Sequence, residues 1–295
     1  MANLKEIRGR ITSVNSTKQI TSAMKMVSAA KLHRAQQAIL QMRPYAEKMQ
    51  EILSNLSASL DVSENAFGER REAERVLIVA INSNRGLCGG FNNNVHRRVN
   101  ELIEEHKGAR VKVLAIGKKA YDLYKKGGYL PGAGYPTEPY EIFKDLNFAD
   151  ASTIANAIMD KFVEKKLDKV YLVYNSFKNA AMQVTTTENF LPIEPPKPKS
   201  EGASSDFAAR EYIFEPSKEE IVEALIPKSL RTQFYKALLD SHAAEHGARM
   251  TAMHQATDNA TELAKQLSLT YNKARQAAIT NEILEIVSGA EALKG

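Results

Sequence analysis

The stretch Leu4-Lys5-Glu6-Ile7-Arg8-Gly9-Arg10-Ile11-Thr12-Ser13-Val14 sets a step of three and four between apolar residues that the chain keeps as far as Leu60. The stripe continues through Lys18, Thr21, Lys25, Ser28, Leu32, Ala35, Ile39, Met42, Ala46, Met49, Leu53, Leu56 and Leu60, and its polar members all fall between Lys18 and Ser28. Such a spacing, about 3.5 residues per repeat, asks for a partner helix and a left-handed supercoil. With Asn3 as N-cap and an end near Leu60, the helix would be roughly 85 Å long at 1.5 Å per residue. Pro44 falls inside it and is expected to kink it, because proline removes a hydrogen bond and crowds the preceding turn.

A second long helix closes the chain. Ser217 followed by Glu220 reads as a capping box, and Pro227 should interrupt or restart the helix. No proline occurs from Lys228 to about Val287. That segment would be roughly 90 Å or longer. Both long helices flank one central region, so they pair only if antiparallel. The longer C-terminal one should then leave a tip with Ile279, Ile283, Ile286 and Leu293 without a partner inside the chain.

Two local features bear on what these helices touch. Between Lys18 and Ser28 the seam is polar, while Ile20, Met24 and Val27 form an apolar stripe shifted by one position, about 100° around the helix. This reads either as packing around a polar layer or as contact with something outside the chain. On the second helix Ala244, Ala248, Ala252, Ala256, Ala260 and Ala264 recur every four residues and drift around its surface. Small residues facing several directions admit more than one neighbour, and they also reflect plain helix propensity. Methionines concentrate on both helices (Met24, Met26, Met42, Met49, Met250, Met253).

Between the helices, strands are expected at 76–81, 111–116, 170–177, 182–191 and 211–214, and helices at 92–106, 118–126 and 149–166. The proline-rich stretch from Glu194 leads into a surface loop to Asp206. The fold class is therefore mixed α+β and α/β: a long antiparallel coiled coil of the N- and C-terminal helices plus a central Rossmann-like α/β domain. The expected domains are 1–60, 75–215 and 217–295.

With 295 residues, 43% hydrophobic and 25% charged, the chain can bury a substantial core. Residues 1–44 carry Lys5, Arg8, Arg10, Lys18, Lys25, Lys31, Arg34 and Arg43 against the single acid Glu6, which favours an acidic partner. The single cysteine, Cys88, excludes an internal disulfide and a thiol-rich zinc site, and points to a reducing compartment. No stretch of about 18 apolar residues occurs. The apolar stripe begins at Leu4 without a cleavage site, so no presequence is expected.

Catalytic, cofactor-binding and metal-ligating machinery is not expected. Gly117-Lys118 resembles the end of a phosphate loop, but Lys112 stands where glycine is needed and Lys119 where serine or threonine is needed. The histidines His33, His96, His106, His242, His246 and His254 read as solvated surface residues. His242 and His246 bracket Glu245, but the zinc-protease order His-Glu-x-x-His is missing. The turn Arg85-Gly86-Leu87-Cys88-Gly89-Gly90-Phe91-Asn92 follows a strand and opens a helix, a geometry that can cradle an anion. It lacks a dinucleotide fingerprint and reads better as a tight turn passing close to a neighbour. Cys88 has Arg85 beside it but no nearby histidine, which argues against a nucleophile. The rival classes are a basic coiled-coil nucleic-acid-binding or scaffold protein and a nucleotide enzyme built on the glycine turn. The lack of aromatics among the N-terminal cations speaks against nucleic acid.

Three stretches resemble the gamma subunit family of F-type ATP synthases: Ile7–Ile11 with Met24–Lys31, the turn Arg85–Asn92, and the run from Ala248-Arg249-Met250 through Tyr271–Glu282 to Glu285–Ala290. The resemblance implies a non-catalytic rotor shaft inside a hexamer of alpha and beta subunits, with its foot on the epsilon subunit and the membrane c-ring. Proton flow would turn the ring and the shaft, driving ATP synthesis. It further implies that Met24 and Lys25 face an acidic lever loop of beta, with Cys88 near that lever and Arg249 opposite. Arg275, Gln276, Thr280 and Glu282 would meet a loop that catches the shaft higher up. Ala244-Glu245-His246-Gly247 departs from the family's usual Ser-Glu, and Gly247 should loosen the helix there. A chain with only Cys88 cannot form the regulatory cysteine pair of plastid relatives. A bacterial inner membrane, cytoplasmic side, is the expected location, with membrane contact only through the complex.

Overall fold

A computed structural model describes residues 4–57, 66–193 and 218–292. The expected strand 211–214, the loop after Glu194, the caps Asn3 and Ser217, and Leu60 and Leu293 lie outside the described residues. The elements are α1 (Leu4–Ser57), β1 (Arg75–Ile81), α2 (Phe91–Glu105), β2 (Arg110–Ile116), α3 (Lys118–Lys126), a short 3-10 helix (Pro139–Phe143), α4 (Phe148–Val163), β3 (Lys169–Phe177), β4 (Gln183–Leu191) and α5 (Lys218–Ala292). The chain divides into two compact units, 1–29 with 249–295, and 30–248.

In the larger unit the sheet order is β2-β1-β3-β4. β1 pairs in parallel with both β2 and β3, and β4 closes the edge antiparallel to β3. β1 lies centrally with helices on both faces, so Val76 to Ile81 are all buried. That accounts for an unbroken apolar run where an alternating one would mark a half-exposed strand. One face of the sheet packs α2 and α3 through Val95, Val99, Leu102, Ala120 and Tyr124. The other packs α4 together with the N-terminal part of α5, through Ile158, Phe162, Ile226, Leu230, Phe234 and Leu238.

Pro227 does not interrupt α5, which runs through it as one helix. An internal proline costs roughly 3 kcal/mol. Here Ile226 and Leu230 on either side are buried in the main core, and that packing offsets the loss. Pro44 likewise lies within α1.

The edge where β1 begins is held by a fork. Asp168 accepts from the backbone N–H, Nε and Nη2 of Arg75 at 2.8, 2.9 and 2.7 Å. These bonds hold the Asp168 carboxyl below its ordinary value of 3.8. A carboxylate shifted this way stabilises the fold fully above the unfolded value, and loses that contribution as pH falls through the lowered folded one. Asp168→Asn should therefore lower the melting temperature at neutral pH, and the gap to the parent should close in strongly acidic buffer. Thermal melts at both pH values check this.

Candidate functional site

In the smaller unit the heptad seam holds straight through its polar segment. Thr21 (8% exposed) and Ser28 (2%) are buried at seam positions. The hydroxyls of Thr21 and Thr257 lie 2.8 Å apart, and each is also within reach of a carbonyl on its own helix, Lys18 O at 3.1 Å and Met253 O at 2.7 Å. Lys25 Nζ lies 3.4 Å from His254 Nδ1. As numbers rise from 21 to 25 on α1 they fall from 257 to 254 on α5, so the two helices are antiparallel here. Met253, Thr257, Ala260, Ala264, Leu267, Tyr271, Ala274 and Ala278 carry the partner stripe, each buried or half-buried.

The polar seam leaves Ile20 (60% exposed), Met26 and Val27 on the outside. The packing alternative for this segment holds, with a polar layer between the helices, while Ile20 and Val27 of the shifted stripe point away from the pair and Met24 is half-buried. A hydroxyl pair at the seam fixes register and orientation at some cost in stability. Thr257→Val should destabilise by about 1 kcal/mol or less, because the Thr21 hydroxyl keeps its bond to the Lys18 carbonyl, and adding Thr21→Val should show how much of that loss belongs to the pair. A double-mutant cycle by urea unfolding measures it.

Beyond Ala278 the burial stops. Every described residue from Ile279 to Ala292 is exposed although the helix continues, and Ile279, Ile283, Leu284, Ile286 and Val287 are large and apolar. Of the residues singled out in this unit, Arg275, Gln276, Thr280 and Glu282 are exposed, Met24 and Lys25 half-buried, and Arg249 buried.

In the larger unit the turn after β1 sits at the carboxyl ends of β1 and β3, on either side of which the chain crosses to opposite faces of the sheet. In open α/β sheets this is the crevice where ligands bind. Here it is filled from within: Cys88 and Phe91 form a buried cluster with Ala244 and Ala248 of α5, and Phe177 packs against it. Small alanines let the helix lie close over the turn. Asn175, itself buried, donates to the Phe91 carbonyl at 2.9 Å and ties the end of β3 to the start of α2.

The turn is rigid. Ser83 donates its N–H to Asn92 Oδ1 (3.2 Å) and its hydroxyl to the Arg85 carbonyl (2.7 Å). Asn92 Nδ2 donates to Cys88 Sγ at 3.3 Å. Gly89 and Leu87 both have left-handed backbones, φ 59° and 63°. For leucine that conformation costs roughly 1–2 kcal/mol, and it leaves Leu87 64% exposed while Cys88 is 2% exposed. The turn thus presents Leu87 and conceals the thiol.

The near-miss phosphate loop at Gly117 is also occupied by the chain itself. The N–H groups opening α3 are taken: Lys118 N donates to Asn84 Oδ1 (2.9 Å) and Lys119 N to the Ser83 carbonyl (3.2 Å). A helix N-terminus with its donors engaged offers an anion little.

His33 and His254 are exposed as expected of solvated surface residues, but the other histidines are covered. His246 is buried, and His96 is half-buried between Asn82 Nδ2 (3.1 Å) and the Tyr124 hydroxyl (3.4 Å). Burial holds the His96 pKa below its ordinary value. His242 stacks on Phe143 with ring centroids 6.0 Å apart. Their polar helical sequence context concealed this, because α5 is covered on several sides along 241–249. Gly247 has a packing reason too: a Cβ there would lie 3.3 Å from Ala180 Cα and from Phe177 Cε2, so its absence admits the β3–β4 hairpin against the helix. Among the described residues no group of three or more His, Cys, Asp or Glu is placed to hold a metal ion, and no helix is long and apolar enough to cross a membrane.

The crevice at the carboxyl ends of the strands is filled by the protein's own helix, and α5 ends in an exposed apolar stretch. A family model described as ATP synthase matches residues 3–293. The chain belongs to this family, and it is a non-catalytic subunit. It is 58% identical over 296 residues to an ATP synthase gamma chain of Flavobacterium johnsoniae, and 59% identical over 296 residues to that of Flavobacterium psychrophilum, covering 100% of each chain in both comparisons. Among solved structures it resembles one chain from a structure of the central stalk and c-ring of the Tetrahymena thermophila mitochondrial ATP synthase, at 25% identity and TM-score 0.57 over 80% of this chain and 99% of that one. The Euglena gracilis mitochondrial enzyme gives TM-score 0.64 at 22% identity over 98% of this chain and 94% of that one, a likeness of fold.

Proposed function

We propose that the chain is the central rotor of a proton-driven ATP synthase, carrying rotation between a membrane ring and a catalytic hexamer. Residues 1–60 and 217–295 serve as the shaft, and residues 75–215 as the foot. The alpha and beta subunits surround the shaft, and the epsilon subunit and c-ring hold the foot. The assembly sits on the cytoplasmic side of a bacterial inner membrane, and this chain meets the membrane only through it.

The observation that carries this reading is the bare end of α5. A helix that continues to Ala292 with Ile283, Leu284, Ile286 and Val287 exposed has apolar surface that another chain must cover. Arg275, Gln276, Thr280 and Glu282 lie on or beside that end and supply charge-assisted contacts to a surrounding loop. Lys25, with Met24 beside it, offers a cation to an acidic lever, while the neighbouring Ile20, Met26 and Val27 add apolar contact. Leu87 represents its turn at the surface, and Cys88 acts by holding that turn in shape. Arg249, being buried, acts by positioning its own helix.

The test is rotation. With the complex held by its hexamer and a probe fixed to the α/β layer of this chain, ATP should drive unidirectional turning. A probe that stays still while ATP is hydrolysed would refute the rotor role.

A further inference from the structure

Two histidines on α5 remain unused by the rotor reading. His242 and His246 are one helical turn apart, a spacing that places two side chains on the same helix face. Their Nε2 atoms lie 3.2 Å apart, with ring centroids 4.6 Å apart and planes at 88°. His246 is buried and His242 half-buried, so one ring is held by its surroundings and the other opens toward solvent. Phe143 stacks on the His242 ring at an interplanar angle of 10° and restrains its orientation.

We propose that His242 and His246 form a two-imidazole site for a divalent transition-metal cation of the zinc or copper class. Two nitrogens at this separation, each bonded at about 2.0–2.1 Å, subtend roughly 100° at a shared ion, between the square and tetrahedral angles. A turn of the rings that carries both lone pairs off the line joining them brings the pair to chelating geometry without moving the helix backbone. Imidazole nitrogens suit copper, zinc and nickel, with copper bound most tightly, whereas magnesium takes oxygen ligands. The site thus discriminates against the cation that accompanies nucleotide phosphates. Water fills the remaining coordination positions, reached from the His242 side.

In the metal-free pair, one ring donates its Nε2–H to the lone pair of the other. Chelation needs the lone pair of both Nε2 atoms, so the ring that carries its proton there moves it to Nδ1, and protonation of either ring competes with the ion as pH falls. The bound ion bridges the turn 242–246 directly before Gly247, the residue least suited to a helix in this stretch. It acts there as a staple for the part of α5 that lies against the glycine turn and the β3–β4 hairpin.

The experiment uses the full chain, stripped with chelator and loaded with one equivalent of Cu²⁺. Electron paramagnetic resonance should show coupling to two equatorial nitrogens, and either His242→Gln or His246→Gln should abolish that pattern. Thermal melting should shift upward with excess Zn²⁺ in the parent, with no shift in His242→Gln and none with Mg²⁺ in any form. Because His246 is buried, His242→Gln, which keeps that ring in place, carries the test if the other variant fails to fold. A two-nitrogen spectrum that survives in His242→Gln, or an equal zinc shift in parent and variant, overturns the proposal.

Discussion

Phe234→Ala should destabilise the larger unit by about 3–5 kcal/mol, the usual cost of emptying a buried aromatic site. Phe234 is fully buried in the main core and packs against Phe190, with ring centroids 6.0 Å apart. Its neighbours along α5, Leu230, Ala237 and Leu238, are in the same core, so this one ring sits at the centre of the contact between the helix and the sheet. A domain is typically stable by about 5–15 kcal/mol, so the loss is a large fraction of the total. Urea unfolding followed by circular dichroism should show the midpoint falling sharply. Phe234→Leu, which refills part of the cavity, should recover part of the loss. If the rotor reading holds, Phe234→Ala should also weaken transmission between foot and shaft, read as ATP hydrolysis continuing with less proton pumping.

Gly117→Val is the second change with a large expected effect. A Cβ at this position would lie 2.2 Å from the Asn82 carbonyl oxygen and 2.5 Å from its carbon, and the backbone φ is +126°. Asn82 cannot withdraw, because its N–H donates to the Ile116 carbonyl at 2.7 Å and extends the β1–β2 pairing. Backbone strain of about 1–3 kcal/mol and overpacking of about 1–3 kcal/mol act together, and a β-branched residue meets both in full. Soluble yield should drop and the urea midpoint should fall. Gly117→Ala should show the same sign with a smaller size. Gly86→Ala, where an added Cβ meets nothing within 4 Å, is the matched control.

Gly117 also shows how a sequence motif and its structural cause diverge. As a string, Gly117-Lys118 resembled the close of a phosphate loop. In the fold the glycine is required by the approach of β1 and β2, and Asn84 and Ser83 take the helix donors a phosphate would need. The His242–His246 pair diverged in the other direction. The misplaced Glu245 excluded a protease motif, but the one-turn spacing was itself the readable signal, and only packing revealed that one ring is buried. Gly247 reads as a weak point of a helix until the hairpin residues Phe177 and Ala180 are seen against it.

What the order of residues determined alone were the features that depend on local periodicity. The step of three and four along α1 specified which side is covered over its apolar stretches, and between Lys18 and Ser28 it left two readings that only the burial of Thr21 and Ser28 decided. The apolar run Val76–Ile81 specified a strand buried on both faces. The greater length of the proline-free C-terminal helix specified an apolar tip beyond its partner, and Ile279, Ile283 and Ile286 are exposed. Tertiary structure alone decided what depends on residues far apart in the chain: that Thr21 meets Thr257, that Pro227 is carried inside an unbroken helix by Ile226 and Leu230, and that Ala244 and Ala248 close the crevice over Cys88. The physical reason is that periodicity encodes which face a side chain takes, whereas what lies against that face is set only when remote segments share one core.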